Sequence, residues 1–264
     1  MPFTLAHPAI LLPLAPAARR FGVPFAALAA GSMAPDVPLF VPAIGGYGLT
    51  HTPMGIVTVD LAVGMALWLG WVLLLQAPLV DAMPDRVRRR LPAPSWRADL
   101  GGRQVALAAG AVVVGAASHV GWDEFTHAGR WGSEHIAWLA ARHGPFLGTS
   151  WAQYASGIGG LLALAIVAVV AWRRCEARPH PRRRRFAPAV VLAPILAAGA
   201  VALTVVVSGL MGGYGLHAIA YLVATRSIAA GVVVAVLSAV AWHVAPEHAP
   251  FTAPAGRRTA RSVD

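Results

Sequence analysis

The chain has 264 residues, of which 57% are hydrophobic and only 12% are charged, about half the charged fraction of roughly 25% that is usual in a soluble domain. Its formal net charge is +10, and all 21 basic residues are arginine. The arginines lie between apolar segments, as they do in cytoplasmic membrane loops, and not among aromatic residues as on a nucleic-acid-binding face. The composition therefore predicts a protein that contacts membrane lipids and excludes nucleic acid as a partner.

The N-terminal part of the chain holds two short apolar stretches that a basic turn separates. Residues 3–18 and 21–33 flank Arg19 and Arg20, and Gly22 follows directly. This pattern predicts a helical hairpin that either spans a thin region or is re-entrant. A cleavable signal places its positive charges before the apolar core, whereas Arg19 and Arg20 follow it. We therefore expect this segment to stay in the mature protein.

Five longer apolar segments follow, and a spanning helix needs roughly 20 mostly apolar residues. They cover residues 55–76, 105–122, 154–172, 186–211 and 216–244. The predicted fold is an all-α integral membrane bundle of about five transmembrane helices plus the N-terminal helical hairpin. We expect a single membrane-embedded domain over residues 1–245 and a disordered, basic cytoplasmic tail over residues 246–264.

Arginine-rich and arginine-poor links alternate along the chain, and this alternation orients the spans. The links at 78–102 and 173–185 and the C-terminal tail are rich in arginine, so the positive-inside rule places them in the cytoplasm. The alternate links hold only Arg130 and Arg142. These links are therefore expected on the outer side of a bacterial inner membrane.

Five polar residues at the ends of apolar segments are candidate metal ligands. His119 and Asp123 are four residues apart, so on a helix they share a face and can offer a nitrogen and a carboxylate oxygen to one ion. His51 precedes the outer end of its span. His7 begins the first arm of the hairpin and Asp36 follows the second, so both lie at the end away from the arginines. The topology predicts that all five side chains meet at one end of the bundle.

Each candidate ligand also has a structural interpretation. His119 and Asp123 could cap backbone groups at a helix end or bind lipid headgroups. Asp36 lies in a Pro-Asp-Val-Pro turn, and His51 precedes a Thr-Pro helix start, so both fit cap chemistry. The shared end of the bundle favours the metal interpretation for the set as a whole.

Three further residues are candidates for roles beside these ligands. Asp60 lies inside a span, where it is either a partner that orients a liganding histidine or a protonated acid bonded to nearby backbone. Glu124 and His127 follow the helical pair of ligands. They are candidate catalytic acid–base groups or, alternatively, solvated residues at the start of a loop.

The chain resembles an uncharacterised bacterial multi-pass membrane protein family of unknown function, the DUF4184-like proteins, over roughly its N-terminal 160 residues. The last 90 residues or so match only in being hydrophobic. The resemblance rests on five pieces of sequence: Met1-Pro2-Phe3-Thr4-Leu5-Ala6-His7-Pro8-Ala9, Gly31-Ser32-Met33-Ala34-Pro35-Asp36, His51-Thr52-Pro53, Thr58-Val59-Asp60-Leu61 and the stretch at 118–127.

A more distant resemblance bears on function. An early His, a Pro-Asp after the hairpin, a later His and a final His-x-x-x-Asp are similar to the inner-membrane metal-dependent hydrolases, which in turn resemble zinc-dependent phospholipase C. Carried over residue by residue, this resemblance implies a divalent metal, zinc being the expected ion, on His7, Asp36, His51, His119 and Asp123. The soluble enzymes add His and Glu ligands on later helices, and this sequence does not place them.

Two functions of different kinds fit these observations. One is hydrolysis of an ester or phosphoester bond in a lipid or lipid-linked substrate. The other is non-catalytic, with the polar cluster serving as a structural element or passing a metal ion or proton. An open ligand position reached from a groove indicates the hydrolase, whereas a polar path past Asp60 indicates passage. The sequence favours no particular oligomeric state.

Overall fold

A computed structural model describes residues 4–41, 46–91, 100–178, 183 and 187–246. The protein is 82% helical, and within the described ranges its strands are one antiparallel pair, Arg142–His143 (β1) and Phe146–Leu147 (β2). In the described part of the chain, five helices are long and apolar enough to cross a membrane. These findings confirm the predicted all-α membrane bundle. Nearly all of the predicted tail, residues 247–264, lies outside the described residues.

The N-terminal hairpin has its turn where the basic residues predict it. A 3₁₀ helix and α1 form the first arm and α2 forms the second; their bounds are Thr4–Leu14, Ala15–Phe21 and Phe25–Met33. Pro8 and Pro13 lie inside the 3₁₀ helix and lack the N–H that a regular α-helix needs. Gly22, at φ +71, ends α1 in the left-handed conformation that glycine adopts without strain.

The first transmembrane span begins later than the sequence predicts. Short helices lead into it: a 3₁₀ turn, α3, α4 and α5, which cover Ala34–Asp36, Val37–Phe40, Tyr47–Thr50 and Pro53–Val57. The prediction of a span from residue 55 is wrong, because Thr58, at φ −120 and ψ −87, interrupts the helix. The span consists of α6, a π-helical turn and α7, over Val59–Leu69, Gly70–Leu75 and Gln76–Ala82. Asp60 therefore lies in the first turn of the span and not deeper inside it.

The remaining four spans correspond to the predicted apolar segments. They are α9, α12, α13 and α14, and α8, α10 and α11 are short helices in the links. In chain order α8 to α14 cover Asp85–Arg88, Gly102–Thr126, Trp131–His135, Ala137–Ala140, Gly148–Arg174, Ala189–Met211 and Leu216–Val244. The last has its predicted bounds. By contrast, α9 and α12 extend beyond the predicted apolar segments at both ends. Backbone hydrogen bonding continues a helix through flanking polar residues, which a prediction from hydropathy does not include.

The best-packed region lies between the hairpin, α6 and α9. Its buried apolar side chains are Leu11, Ala18, Ala27, Leu28, Ala30, Trp68, Val72, Ala108, Ala111 and Val112. Small residues allow the helix backbones to approach closely, as is common between membrane helices. A Cβ atom added to Gly31 would overlap the backbone of Val112, and one added to Gly115 would overlap the carbonyl of Leu28. Helix α2 therefore lies directly against α9.

The outer helices α12, α13 and α14 expose most of their apolar side chains. Large exposed residues include Ile158, Leu162, Ile166, Leu192, Ile195, Leu196, Leu203, Val233 and Leu237. A continuous apolar surface of this kind is unfavourable in water and is expected where helices face lipid. The burial pattern therefore agrees with a membrane environment.

The described parts of the arginine-rich links meet at one end of the bundle. The backbone N–H of Arg178 donates to the carbonyl of Arg89 at 2.8 Å. Arg103, at the start of α9, donates to the carbonyl of Phe21 in the turn of the hairpin at 3.4 Å. His119 lies about 24 Å farther along α9, at 1.5 Å per residue. The arginines and the candidate ligands are therefore at opposite ends.

We predict that positions 86 and 140 lie on opposite sides of the membrane. Arg86 and Ala140 are both exposed, and α9 crosses the bundle between them. In a Cys175→Ser background, Arg86→Cys and Ala140→Cys should react with a membrane-impermeant maleimide from opposite sides of oriented vesicles, with position 86 cytoplasmic. Labelling of both cysteines from the same side would contradict this arrangement.

We also predict that Gly115→Ala destabilises the protein. The new Cβ would overlap the Leu28 carbonyl, and overpacking of this kind costs about 1–3 kcal/mol. The matched control is Gly110→Ala on the same helix, where an added Cβ meets nothing within 4 Å; it should be neutral or stabilise by up to about 1 kcal/mol. Thermal unfolding in detergent measures both. An equal Tm for the two variants would show that α2 and α9 do not pack this closely.

Candidate metal centre

The five predicted ligands come together in one cluster at the end of the bundle opposite the arginines. His7 comes from the first arm of the hairpin, Asp36 from the 3₁₀ turn after α2, and His51 from the residue after α4. His119 and Asp123 lie on one face of α9. All are buried except His7, which is partly buried. The topology thus places these side chains together as expected, and their role as metal ligands stays a prediction.

The ligand atoms form two overlapping groups of three. His7, His119 and Asp123 make one group, and Asp36, His51 and His119 make the other; within each, the ligand atoms lie within 4.8 Å of one another. Both groups use His119, which presents only Nε2 to the cluster. Because one nitrogen lone pair coordinates one ion, the two groups describe overlapping positions for a single ion.

A backbone hydrogen bond orients His119. Its Nδ1 lies 2.8 Å from the carbonyl oxygen of Ser32 on α2, and because a carbonyl can only accept, Nδ1 carries a proton. Nε2 then faces the carboxylates of Asp36 and Asp123, at 3.6 Å from each. Metal-binding histidines usually donate their second N–H to a carbonyl or carboxylate in this way.

His51 is held in the same manner. Its Nδ1 lies 3.0 Å from the carbonyl oxygen of Tyr47, and its Nε2 faces Asp123 at 3.4 Å and Asp36 at 4.0 Å. The hydroxyl of Thr50 lies 2.9 Å from a carbonyl of the 3₁₀ turn, which holds α4 beside that turn. Two imidazoles from different segments therefore aim Nε2 at the same pair of carboxylates.

Cap chemistry does not account for Asp36 and His51. Thr52, and not His51, caps α5 by accepting the N–H of Gly55 at 3.0 Å. The side chain of Asp36 makes no cap bond to α3. Its Oδ2 accepts a hydrogen bond from the hydroxyl of Thr4 at 2.6 Å, which leaves Oδ1 facing the imidazoles.

The separations between imidazole nitrogens and carboxylate oxygens are too long for hydrogen bonds. The three shortest that involve His51 and His119 are 3.4 to 3.6 Å, whereas N–H···O bonds span about 2.7–3.2 Å. Nε2 of both residues is buried without a hydrogen-bond partner. Two atoms bound at about 2.0–2.2 Å to one tetrahedral ion lie roughly 3.3–3.6 Å apart. The spacing therefore fits ligands arranged around a cation.

Charge within the cluster and burial decide the protonation of Asp36 and His7. Although burial raises the pKa of Asp36, the nearby His119 and the Thr4 hydroxyl hold it below its usual value, so the group is a carboxylate. The ring of His7 stacks on that of His119 at 3.8 Å. Burial, and then the His119 ring, lowers the pKa of His7 to about 4. At neutral pH His7 is therefore uncharged and has a lone pair available for a metal.

A pocket of about 360 Å³ lies beside the cluster. His7, Asp36 and Asp123 form part of its wall, whereas His51 and His119 lie behind them. The other lining residues come from the 3₁₀ helix, α3, α4, α9, α12 and α14, with His127 just after α9; they are Ala6, Ala9, Ile10, Leu39, Tyr47, Trp122, Thr126, His127, Gln153, Ser156, Gly157, Gly160 and Tyr221. A cation held by the cluster would be accessible from this pocket.

His127, a predicted catalytic residue, lies at the pocket. Its Nδ1 is 3.5 Å from Oδ2 of Asp123, and its Nε2 is 3.2 Å from the side-chain nitrogen of Gln153 on α12. With the oxygen of the Gln153 amide turned to Nε2, the proton of the ring is on Nε2 and Nδ1 keeps its lone pair beside Asp123. His127 is therefore placed to hold or transfer a proton beside the cluster.

Glu124, the other predicted catalytic residue, is not brought to the cluster. It does not line the pocket. Its carboxylate accepts the backbone N–H of Trp131 at 3.0 Å and pairs with the guanidinium of Arg130 at 3.4 Å. These bonds fix the start of α10, because the link after α9 folds back on the helix end. The geometry gives Glu124 a structural contact and no contact with the ligands.

Asp60 lies close to the cluster without a hydrogen bond to it. The residue is fully buried, and neither carboxylate oxygen has a hydrogen-bond partner. It interacts electrostatically with His51 and His119. Two hydrogen bonds were predicted for Asp60 as alternatives: one to a liganding histidine, which it would orient, and one to nearby backbone. The structure contains neither of them.

Sequence reasoning missed three groups that position the site: the Thr4 hydroxyl, the Ser32 carbonyl and Tyr47. The ring of Tyr47 packs on His51 at a centroid distance of 4.1 Å and lines the pocket. Burial, and then Asp36, raises the pKa of the Tyr47 phenol, which therefore stays a protonated donor. No local pattern marks these contacts, because the bonds to Asp36 and His119 join residues 32 and 87 positions apart.

The fold and the site together define a multi-pass membrane protein with a buried histidine–aspartate cluster. The chain belongs to the family described as Domain of unknown function (DUF4184), whose family model matches residues 1–246. This match confirms the resemblance to an uncharacterised family. The expectation that the resemblance ends after roughly the first 160 residues is wrong, since the match extends to residue 246. Comparison with curated proteins and with solved structures gave no match, so the distant resemblance to metal-dependent hydrolases stays a prediction.

We predict that the purified full-length protein binds about one divalent ion per chain and that the double variant His119→Ala, Asp123→Ala loses it. His119 belongs to both ligand groups, so its removal leaves at most two ligands in either. Elemental analysis after dialysis measures the ion. The control is Glu134→Ala, His135→Ala, which removes one acid and one histidine from the exposed face of α10. Equal metal content in the two double variants would contradict the site.

Proposed function

We propose that the cluster holds one divalent cation, with zinc the expected ion, and that the protein is a membrane-embedded metal-dependent hydrolase of ester or phosphoester bonds in lipids or lipid-linked molecules. One observation carries this proposal. Buried imidazole nitrogens without hydrogen-bond partners face carboxylates at 3.4 to 3.6 Å, and the carboxylates border a pocket.

The ligand set suits a catalytic ion more than a closed structural one. Each group supplies three protein ligands, and catalytic zinc typically has three protein ligands and one open position. The histidine–carboxylate mixture suits zinc or manganese more than calcium. Asp36, Asp123 and His7 border the pocket while His51 and His119 lie behind. The open position would therefore face the pocket.

The residues around the pocket can be given roles in hydrolysis. A bound divalent cation lowers the pKa of a water toward about 7 and polarises the bond to be cleaved. His127, at 3.5 Å from Asp123, accepts a proton on the pocket side and returns it to the leaving group. Gln153 holds the His127 ring at Nε2. Tyr47, a protonated phenol at the pocket wall, donates a hydrogen bond to the substrate.

The location of the site suits a membrane substrate. The cluster lies at the end of the bundle away from the arginines. The positive-inside rule places the arginines in the cytoplasm, so we assign the end with the cluster to the outer face of a bacterial inner membrane. The exposed tryptophans of this end, Trp131, Trp138 and Trp151, are residues that favour the membrane interface. A substrate could therefore approach from the lipid headgroup region.

A second candidate function is passage of a metal ion or proton, which the buried and unpartnered Asp60 favours. Continuation of a polar path toward the arginine end would support it. One and two turns beyond Asp60 on α6, however, the buried residues are Gly64 and Trp68, which pack in the apolar core with Val112. No polar side chain continues the path at these two turns. The open pocket therefore supports the hydrolase more than passage.

The metal-loaded protein in nanodiscs should hydrolyse at least one member of a panel of labelled phospholipids, p-nitrophenyl phosphoesters and p-nitrophenyl acyl esters. Asp123→Asn should abolish turnover together with metal binding. His127→Gln should lower kcat by about 10²–10⁴-fold while metal content is unchanged, because His127 borders the pocket outside both ligand groups.

The matched control for His127→Gln is His135→Gln, an exposed histidine stacked on Trp131, whose kcat should equal that of the unaltered protein. Full metal occupancy without turnover of any substrate in the panel would contradict the hydrolase and favour a structural or transport role. Equal kcat for His127→Gln and His135→Gln would show that His127 takes no part in catalysis.

A further inference from the structure

Arg226 interrupts the apolar sequence of α14, the last span. It lies ten residues after Leu216, where the helix begins, and its side chain is exposed. Its guanidinium makes no ion pair and no hydrogen bond with any residue in the described part of the chain. A charged side chain within a span is costly unless it has a partner. The partner of Arg226 must therefore come from the surroundings of the protein.

Arg226 lies on the face of α14 that is turned away from the rest of the protein. Val233, Leu237, Val240 and Val244 follow it at spacings of 7, 4, 3 and 4 residues, and such spacings keep to one side of a helix. These four side chains are 44% to 78% exposed. In a membrane this face contacts lipid, so the guanidinium starts among acyl chains and not inside the bundle.

Helix α14 places Arg226 nearer to the end of the bundle that holds the cluster. Tyr221, in the second turn of the helix, lines the pocket, whereas Trp242, in its last turn, donates to Asp81 near the end of α7. The 29 residues of α14 extend over about 43 Å, and the hydrocarbon core of a bilayer is about 30 Å thick. A helix centred in the core therefore places the Cα of Arg226 about 8 Å inside the hydrocarbon on the side of the cluster.

The side chain of Arg226 can reach the headgroup region on that side. The Cα–Cβ bond of a helical residue tilts toward the helix N-terminus, and the N-terminus of α14 is at the cluster end. Long arginine side chains extend along a helix in this way and leave their charge at the membrane interface. The anion that a bilayer presents at its interface is the phosphate of its phospholipids.

A second copy of the chain is a poorer partner for Arg226 than a lipid. The acids on the five spans are Asp60, Asp81, Asp123 and Glu124. The three aspartates are buried, and Glu124 pairs with a guanidinium in its own chain. The described spans therefore offer no free, exposed carboxylate that another copy could bring to Arg226 within the membrane.

We propose that Arg226 binds the phosphate of a membrane phospholipid in the leaflet next to the cluster and draws that headgroup toward the hydrocarbon core beside α14. Two features of one helix face carry this inference. The planar guanidinium can donate two parallel hydrogen bonds to phosphate oxygens. The apolar residues from Val233 to Val244 continue on the same face toward the other end of the helix, so the acyl chains of the same lipid lie along them.

This lipid site is separate from the pocket. Tyr221, which lines the pocket, precedes Arg226 by five residues, so the two side chains point about 140° apart around the helix at about 100° per residue. The proposal therefore does not rest on the proposed hydrolase function, and its test needs neither a metal ion nor turnover.

The test uses the fact that the chain has no lysine. Arg226→Lys introduces a single lysine, which keeps the positive charge and can also bind phosphate. With ¹³C-lysine in the full-length protein, ¹³C–³¹P REDOR solid-state NMR in vesicles of phosphatidylcholine and phosphatidylglycerol, in phosphate-free buffer, should show dephasing of the lysine Cε signal by lipid phosphorus. The same protein in galactolipid bilayers with added inorganic phosphate should show none.

A second readout follows the lipid in the unaltered sequence. Phosphatidylglycerol with a diazirine in its headgroup should photolabel α14 peptides around Arg226 in nanodiscs. Arg226→Leu should lower this labelling by about fivefold, the effect of one arginine near an anionic membrane surface. The matched control is Arg142→Leu, which removes an exposed arginine of the same end outside the spans and should leave the labelling of α14 unchanged.

Three results would overturn the proposal. Absence of dephasing in the phospholipid vesicles would show that the side chain at position 226 does not reach lipid phosphate. Dephasing by inorganic phosphate in the galactolipid bilayers would assign the position to a free phosphate ion. Equal headgroup labelling in Arg226→Leu and the unaltered protein, together with a dimer that Arg226→Leu abolishes, would assign Arg226 to a contact with a second copy.

Discussion

The site depends on the positive charge that two buried carboxylates require. Asp36 and Asp123 are 4% and 3% exposed inside an apolar bundle, where an uncompensated anion is very costly. Protonated imidazoles or a bound cation can supply this charge. The Nε2 atoms of His51 and His119 face the carboxylates at separations too long for hydrogen bonds. That spacing fits a shared cation better than a direct proton bridge.

Close packing of α2 on α9 makes this arrangement possible. Gly31 and Gly115 allow the two backbones to touch, and the contact brings the carbonyl of Ser32 to Nδ1 of His119 at 2.8 Å. That bond fixes which imidazole nitrogen faces the carboxylates. The close packing of α2 on α9 therefore also sets the orientation of His119. A side chain at Gly115 would disturb both the packing and the bond from His119 to Ser32.

Much of this structure was predictable from sequence because hydropathy and charge act over long segments. The alternation of arginine-rich and arginine-poor links placed His7 and Asp36 at the same end as His119. Local contacts were less predictable. Thr58 interrupts a segment whose hydropathy is continuous. The sequence places Glu124 directly after the His119–Asp123 pair, but in the fold its carboxylate accepts the backbone N–H of Trp131 in the link after α9. The bonds from Thr4 and Ser32 join distant segments, so no local spacing indicates them.

The measurement that tests the central claim most directly is X-ray absorption spectroscopy at the zinc edge of the zinc-loaded full-length protein. Either group of three ligands predicts a first shell of nitrogen and oxygen at about 2.0–2.2 Å. It also predicts the outer-shell scattering of imidazole, which His119→Asn should reduce. A shell of oxygen alone, as in a hydrated ion, or a spectrum that His119→Asn leaves unchanged, would show that the cluster does not coordinate the metal.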